Sequence, residues 1–394
     1  MARSLAYLVA TITSAAFTAA ATIANPGCQA TAPSQGTINV PTANMTVPGS
    51  PFGLVYARPD FAFAGMGQKV IMLNTSAFKP ALAREIALPA SFNQSGVVVG
   101  GITLSHDKRH VYAAIGPGAV ILDVEKAILG HVNPVVGTLV GKIGDSAIQV
   151  TLSADDQYAL VTQEYGTNAT RYKGTIEVFQ MHQSRNGSMT GVNKGFTTLG
   201  YAVVGTAFSH DQSKVYVTSE VTAAATSANE TQGTVSVLDA ATLYTNPSKA
   251  LLHSVDAGCS PVRLEVSPDG KLVWVTARQS NRLLAFDTAK LDSAHPEGAL
   301  AASVQVGTSP VGLAIINGGR HIITADSNRF NSPNATTGLT VVDVEEALRG
   351  EQGFRKIPTG MFPREFAVSP DGKTVLVAQY QSDAIQALDV AKLL

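Results

Sequence analysis

Short apolar runs recur along the chain, separated by polar turns, and their alternation predicts strands rather than helices. One unit runs "RLEV", the turn "SPDG", then "LVWVT" and "RLLAFD". Another runs "EFAV", "SPDG", "TVLVA" and "AIQALD". Asp, Asn and Gly mark such turns because central hairpin positions take positive φ. Searching on that turn finds weaker copies at "RPDF" (Asp60), "SHDK" (Asp107), "SADD" (Asp155), "SHDQ" (Asp211) and "INGG" (Asn317), besides Asp269 and Asp371. The seven copies lie about fifty residues apart. An apolar strand precedes and follows each. A third strand often ends in Asp, as in "AVILD", "TVSVLD" and "LTVVD", and that Asp is placed to cap a short helical turn such as "TAKL" or "VEEAL". A fourth, weaker strand leads into the next unit.

Four antiparallel strands at this period make one propeller blade, and seven copies make an all-β, seven-bladed β-propeller of four-stranded antiparallel blades. A pair of β-sandwiches would not explain one turn recurring seven times. The last unit lacks a fourth strand, since only "AKLL" follows "AIQALDV". At the other end, "GTINVPTANMTV" (Gly36 to Val47) precedes the first unit. It is the expected closing strand of the last blade, which leaves no open edge. The expected organisation is a signal peptide over 1–24, a leader and closing strand over 25–50, and the propeller over 51–394.

The units "SPDGKLVWVTARQSNRLLAFDTAKL" and "SHDQSKVYVTSE…GTVSVLDAATL", with "YVT" itself at Tyr216 to Thr218, resemble the YVTN repeat of the lactonase-like seven-bladed propellers, in secreted eukaryotic, fungal-type members. The resemblance spans nearly the whole mature chain. It implies the fold, and it implies lactone or carboxylate chemistry at the central channel. The group includes sugar-phosphate lactonases, a fungal muconate-cycloisomerising enzyme and secreted proteins without assigned activity. The repeat motifs are turns and strands rather than chemistry, so activity must be argued from a site. WD repeats and quinoprotein dehydrogenases need recurring tryptophans, and only Trp274 is present.

Composition narrows the partners. Charged residues make up 14% of the chain and the net charge is −1, with no basic stripe, which argues against nucleic acid. Arg3 precedes an apolar, small-residue run from Leu5 to Ala21, with cleavage sites after Ala21 or Ala24, the pattern of a secretory leader. A membrane anchor is the rival, but Thr11, Thr13, Ser14 and Thr18 dilute the run, and no later run could span a bilayer. Acceptor sequons begin at Asn44, Asn74, Asn93, Asn168, Asn186, Asn229 and Asn334, so a glycosylated extracellular protein is expected. Cys28 and Cys259 are the only cysteines. They are either a disulfide or one buried thiol and one on a loose leader, and neither reading prevails.

The charges that do occur fall in a pattern. Aligned on the turn, the starts of the first strands are Gly53, Gly101, Gln149, Gly205, Arg263, Gly312 and Glu365, with Arg364 beside the last. The ends of the second strands are Met66, Gly116, Glu164, Glu220, Arg278, Asp326 and Tyr380. Both sets should converge on one mouth of the channel. Arg263, Arg278 and Arg364, with Gln149 and Asp326, are the candidate binding residues, since guanidinium forks suit carboxylate or phosphate. Glu365, Glu220 and Glu164 are the candidate acids or bases. The competing account pairs these charges with one another as structural ion pairs. No histidine falls at that mouth, no metal site or cofactor motif is present, and three long loops carrying Asn168, Asn229 and Asn334 should rise above it. The expected function is a secreted, monomeric protein that binds, and as an enzyme would hydrolyse or isomerise, a small anionic or lactone-type molecule. The alternative is a non-catalytic scaffold for an extracellular protein.

Overall fold

The computed structural model describes residues 23–28, 31–92, 96–222 and 232–393. The greater part of the predicted leader peptide, Asn93 and Asn229 lie outside the described residues. Seven four-stranded antiparallel sheets form a ring, with the first strands of successive blades side by side around the axis. Blade five is representative: Pro261–Val266, Leu272–Ala277, Arg282–Asp287 and Leu300–Gln305, from axis to rim. The other first strands are Pro51–Arg58, Ile102–Leu104, Ala147–Leu152, Tyr201–Phe208, Pro310–Ile316 and Pro363–Val368.

The repeated motif has a concrete cause. In five blades the turn serine donates to the turn aspartate at 2.6 Å, as in Ser267–Asp269 and Ser369–Asp371. The same serine accepts the backbone N–H that opens the second strand, for example Leu272 at 3.0 Å. The residue after the aspartate is left-handed: Gly270 (φ 73°) and Gly372 (φ 70°) in the two clearest copies, but Lys108, Asp156 and Gln212 in the weaker ones. Only glycine takes that conformation without penalty, so the weaker copies look degraded while keeping the turn. The hydrogen bond from Ser209 holds the Asp211 carboxyl down at about 2.

The threonine closing the second-strand motif joins neighbouring blades. Thr162, Thr218 and Thr276 are buried and donate to the carbonyls of Val204, Val262 and Val311 on the next first strand, at 2.9, 2.7 and 2.6 Å. The third-strand aspartates cap short helices as expected. Asp123, Asp239, Asp287 and Asp343 accept from the N–H of Lys126, Thr242, Lys290 and Glu346.

Ring closure follows the sequence expectation with one change. Thr42–Thr46 pairs antiparallel with Ala384–Asp389 and completes blade seven. The predicted closing strand, Gly36 to Val47, is divided. Lys356 donates to the Gly36 carbonyl and Ile38 donates back to Lys356, at 2.9 and 2.8 Å. The leader thus extends blade six, whose fourth strand is only Lys356–Ile357. Pro41 follows, lacking an N–H, and the chain crosses to blade seven. The leader is tied further back as well. Cys28 and Cys259 form a disulfide, and Asn25 accepts from the Gly258 N–H. Residues 25–28 and 31–46 therefore strap the leader to blades four, six and seven.

Candidate functional site

The aligned charges do not share one mouth. Val204, Val262, Val311 and Phe362 are buried together, with Ile148 and Tyr380 packed on them. Ile148, Val204, Val262 and Val311 stand immediately before ring positions 149, 205, 263 and 312, so this cluster plugs the axis. It separates the groups at the second-strand ends, on the loop face, from a cavity of about 490 Å³ that runs to the turn face.

On the loop face, Arg278 donates to Glu220 at 2.5 Å; their side chains are 7% and 9% exposed. Burial pushes the Glu220 carboxyl above its usual range, against the pull of Arg278 and with Glu164 adding to the rise. Phe330 lies over the Arg278 guanidinium at 5.4 Å. Asp326 is fully buried and takes no part in a mouth. It accepts from Thr324 at 2.9 Å and Thr340 at 2.6 Å, and burial raises its carboxyl to about 7. Arg364 packs its guanidinium on Phe52 at 3.5 Å, with Phe362 and Tyr380 beyond 5 Å. Burial lowers it to about 9, so it remains a cation at neutral pH.

The turn-face cavity holds the other ring charges. Arg263 Nε donates to Glu365 at 2.7 Å, bridging blades five and seven. Gly312 stands at the equivalent position of blade six, where a Cβ would lie 2.1 Å from the Arg364 carbonyl oxygen. Arg263 is 7% exposed, and its buried Nη1 has no hydrogen-bond partner. Glu265 follows two residues later on the same strand and lines the same cavity. It accepts from the Ile315 N–H at 3.1 Å, and burial, with Glu365 adding to it, raises its carboxyl to about 7. Gln149 and Thr151 donate to the Thr206 carbonyl and satisfy part of the inner strand edge. At the cavity opening, His106 Nδ1 lies 2.8 Å from Asp156 Oδ1.

The family described as "Lactonase, 7-bladed beta-propeller" matches residues 173–392, more than half of the chain. The chain belongs to this family. No curated protein matches this lactonase-family propeller in sequence. Similar solved structures include a chain of the mitotic checkpoint complex (TM-score 0.63, 14% identity, covering 96% of this chain and 99% of that one). Kuenenia stuttgartiensis hydrazine synthase follows at TM-score 0.64 and 14% identity, covering 88% and 97%. The Myceliophteria thermophila Cps50 (Swd1) propeller domain is similar at TM-score 0.59 and 11% identity, covering 89% and 100%. At such identities the likeness concerns the fold alone.

Within this lactonase-family ring, the cavity brings together Gln149, Arg263 and Glu365 of the candidate residues. Glu220 and Arg278 pair on the far side of the plug, with Glu164 beside them. Two cavity residues escape the ring alignment. Glu265 was legible as the residue two past Arg263, on the same strand face. His106 belongs to the turn "SHDK", but only the plug shows that the cavity opens at that face. The sequons at Asn44, Asn74, Asn168, Asn186 and Asn334 are all exposed. Among the described residues, no group of three or more His, Cys, Asp or Glu could hold a metal ion.

Proposed function

We propose that this chain binds a small anionic or lactone-type molecule in the turn-face cavity and acts on it as a lactonase-like hydrolase. One observation carries the reading: a buried arginine with an unpartnered Nη1 shares a cavity with two carboxyl groups, one of them near neutrality. Ring opening would begin with the Glu265 carboxylate taking a proton from water as its oxygen adds to the lactone carbonyl. The oxyanion accepts from Arg263, the ring C–O bond breaks, and Glu265 returns its proton to the alkoxide leaving group. The hydroxy acid product releases its carboxyl proton to solvent and keeps its carboxylate on Arg263. Charge-assisted contacts of this kind are worth about 1.5–3 kcal/mol.

The test is a panel of γ- and δ-lactones and their hydroxy acids, followed by hydrolysis and by thermal shift. Turnover should rise with pH through about 7, as the Glu265 base ionises. Arg263→Ala should weaken hydroxy-acid binding roughly ten-fold or more. Glu265→Gln should keep binding and lose turnover. Wild-type protein that neither binds nor hydrolyses any of the panel would overturn the reading. The interaction scaffold would then replace it, a reading favoured by Tyr165, Tyr172 and Phe330, each more than half exposed on loop-face segments.

The same reading makes the protein secreted and glycosylated, on the strength of the leader pattern and the exposed sequons. Material from the medium should lack its first 21 to 24 residues and lose mass on glycosidase treatment. An intact Met1 and an unchanged mass would reject it.

A further inference from the structure

The junction of blades seven and one holds a second, separate cleft of about 700 Å³ on the loop face. Its apolar lining comes from Phe52, Met66, Leu88, Val99 and Tyr380. The floor is preformed, because Phe52 is fixed between the Arg364 guanidinium at 3.5 Å and the Tyr380 ring, edge-on at 6.4 Å. Lys69 and Glu85 also line it, paired at 2.6 Å on neighbouring strands. One wall is Pro48, Gly49 and Ser50, the segment directly after the closing strand. Val47 donates to the Asp383 carbonyl at 2.8 Å, which places that wall at the seam of the ring.

We propose that this cleft binds a neutral aromatic alcohol or phenol, and that its occupancy stabilises ring closure. Concave, largely apolar clefts with a few polar groups are the usual form of small-molecule sites. The partly exposed Tyr380 ring beside Phe52 favours a flat apolar body. The Lys69–Glu85 pair supplies one donor and one acceptor but no net charge, so it favours a hydroxyl head over a carboxylate. This separates the cleft from the turn-face cavity, where Arg263 stands among Glu265 and Glu365, and the two proposals stand independently. A ligand that touches both Pro48–Ser50 and blades one and two binds the closed ring better than the open one, and so raises its stability by mass action.

The probe is 2-naphthol, with 2-naphthoate as the anionic comparison, measured by calorimetry and thermal shift. One saturable site for 2-naphthol, a melting temperature raised by several degrees, and at least five-fold weaker naphthoate binding are expected. Ala87→Trp and Val98→Trp both fill the cleft from exposed wall positions and should abolish binding. Arg263→Ala should leave it intact, whatever becomes of the turn-face reading. Glu85→Gln, at an exposed strand position, leaves the core untouched and should reverse the preference towards naphthoate. Absence of saturable 2-naphthol binding, loss of binding in Arg263→Ala, or an unchanged preference in Glu85→Gln would overturn the proposal.

Discussion

A chain that begins at Pro48 should aggregate and melt far below the full-length protein. Deletion removes the five-residue ladder of Thr42–Thr46 on Ala384–Asp389 and leaves the Ala384–Asp389 strand as an open edge, a template for aggregation. It also removes Met45 and Val47, which are buried with Leu54, Ile71, Ala378 and Ile385 between the last and first blades. Each such side chain is worth about 1.5–3 kcal/mol. The disulfide goes too. It spans 231 residues, and cross-links of this kind typically contribute about 2–5 kcal/mol. The combined loss, on the order of 5–10 kcal/mol, rivals the whole stability of an ordinary domain. Size-exclusion chromatography and thermal melting decide the matter. A Pro48-start chain that stays monomeric and melts unchanged would refute closure by the strap. Cys28→Ser isolates the covalent part, with a smaller fall, because the ladder survives. The denatured, unreduced wild type should show no free thiol.

The second large effect is expected from Arg278→Ala. The variant leaves the Glu220 carboxylate buried without its cation, and breaking a buried pair from one side costs about 3–5 kcal/mol. The pH dependence identifies the cause. Glu220 already holds its proton more tightly than a free carboxyl, whose ordinary value is 4.5, and loss of Arg278 removes the main force opposing that rise. A raised carboxyl favours the native state at low pH, and this advantage is lost as pH climbs from the unfolded value through the folded one. The deficit of Arg278→Ala should thus be larger at pH 8 than at pH 5. Adding Glu220→Gln should recover much of it. Chemical denaturation at the two pH values measures both; a deficit under about 1 kcal/mol, or one independent of pH, would show the pair to be dispensable.

The candidate site was partly legible. Arg263 and Glu365 stood out because charged residues are scarce in this chain, and with Gln149 they fall at one repeat position. The pairing of Arg263 with Glu365 was not legible, since it joins blades five and seven past Gly312. Asp326 looked like a mouth residue by alignment, yet Thr324 and Thr340 close around it. Their hydroxyls carry no sign in the sequence of pointing inward.

The sequence by itself determined the blade. Turn chemistry is local: a serine, an aspartate two residues on and a left-handed residue after it fold the same way wherever they occur, so five copies specify five hairpins, and the turns at Asp60 and Asn317 mark the other two by their spacing. The cap at the end of the third strand is local for the same reason. The missing fourth strand was also visible, because counting strands needs no geometry. Tertiary structure alone decided what the ring encloses. Whether Ile148, Val204, Val262 and Val311 meet on the axis depends on how closely seven first strands approach, and no run of residues encodes that distance. That plug turns one expected mouth into two faces, gives Arg263 and Glu265 to the turn-face cavity, and leaves Arg278 and Glu220 paired behind it. The path of the strap was likewise settled by contact, because only the folded ring brings Cys259 and Lys356 beside a leader that precedes them by hundreds of residues.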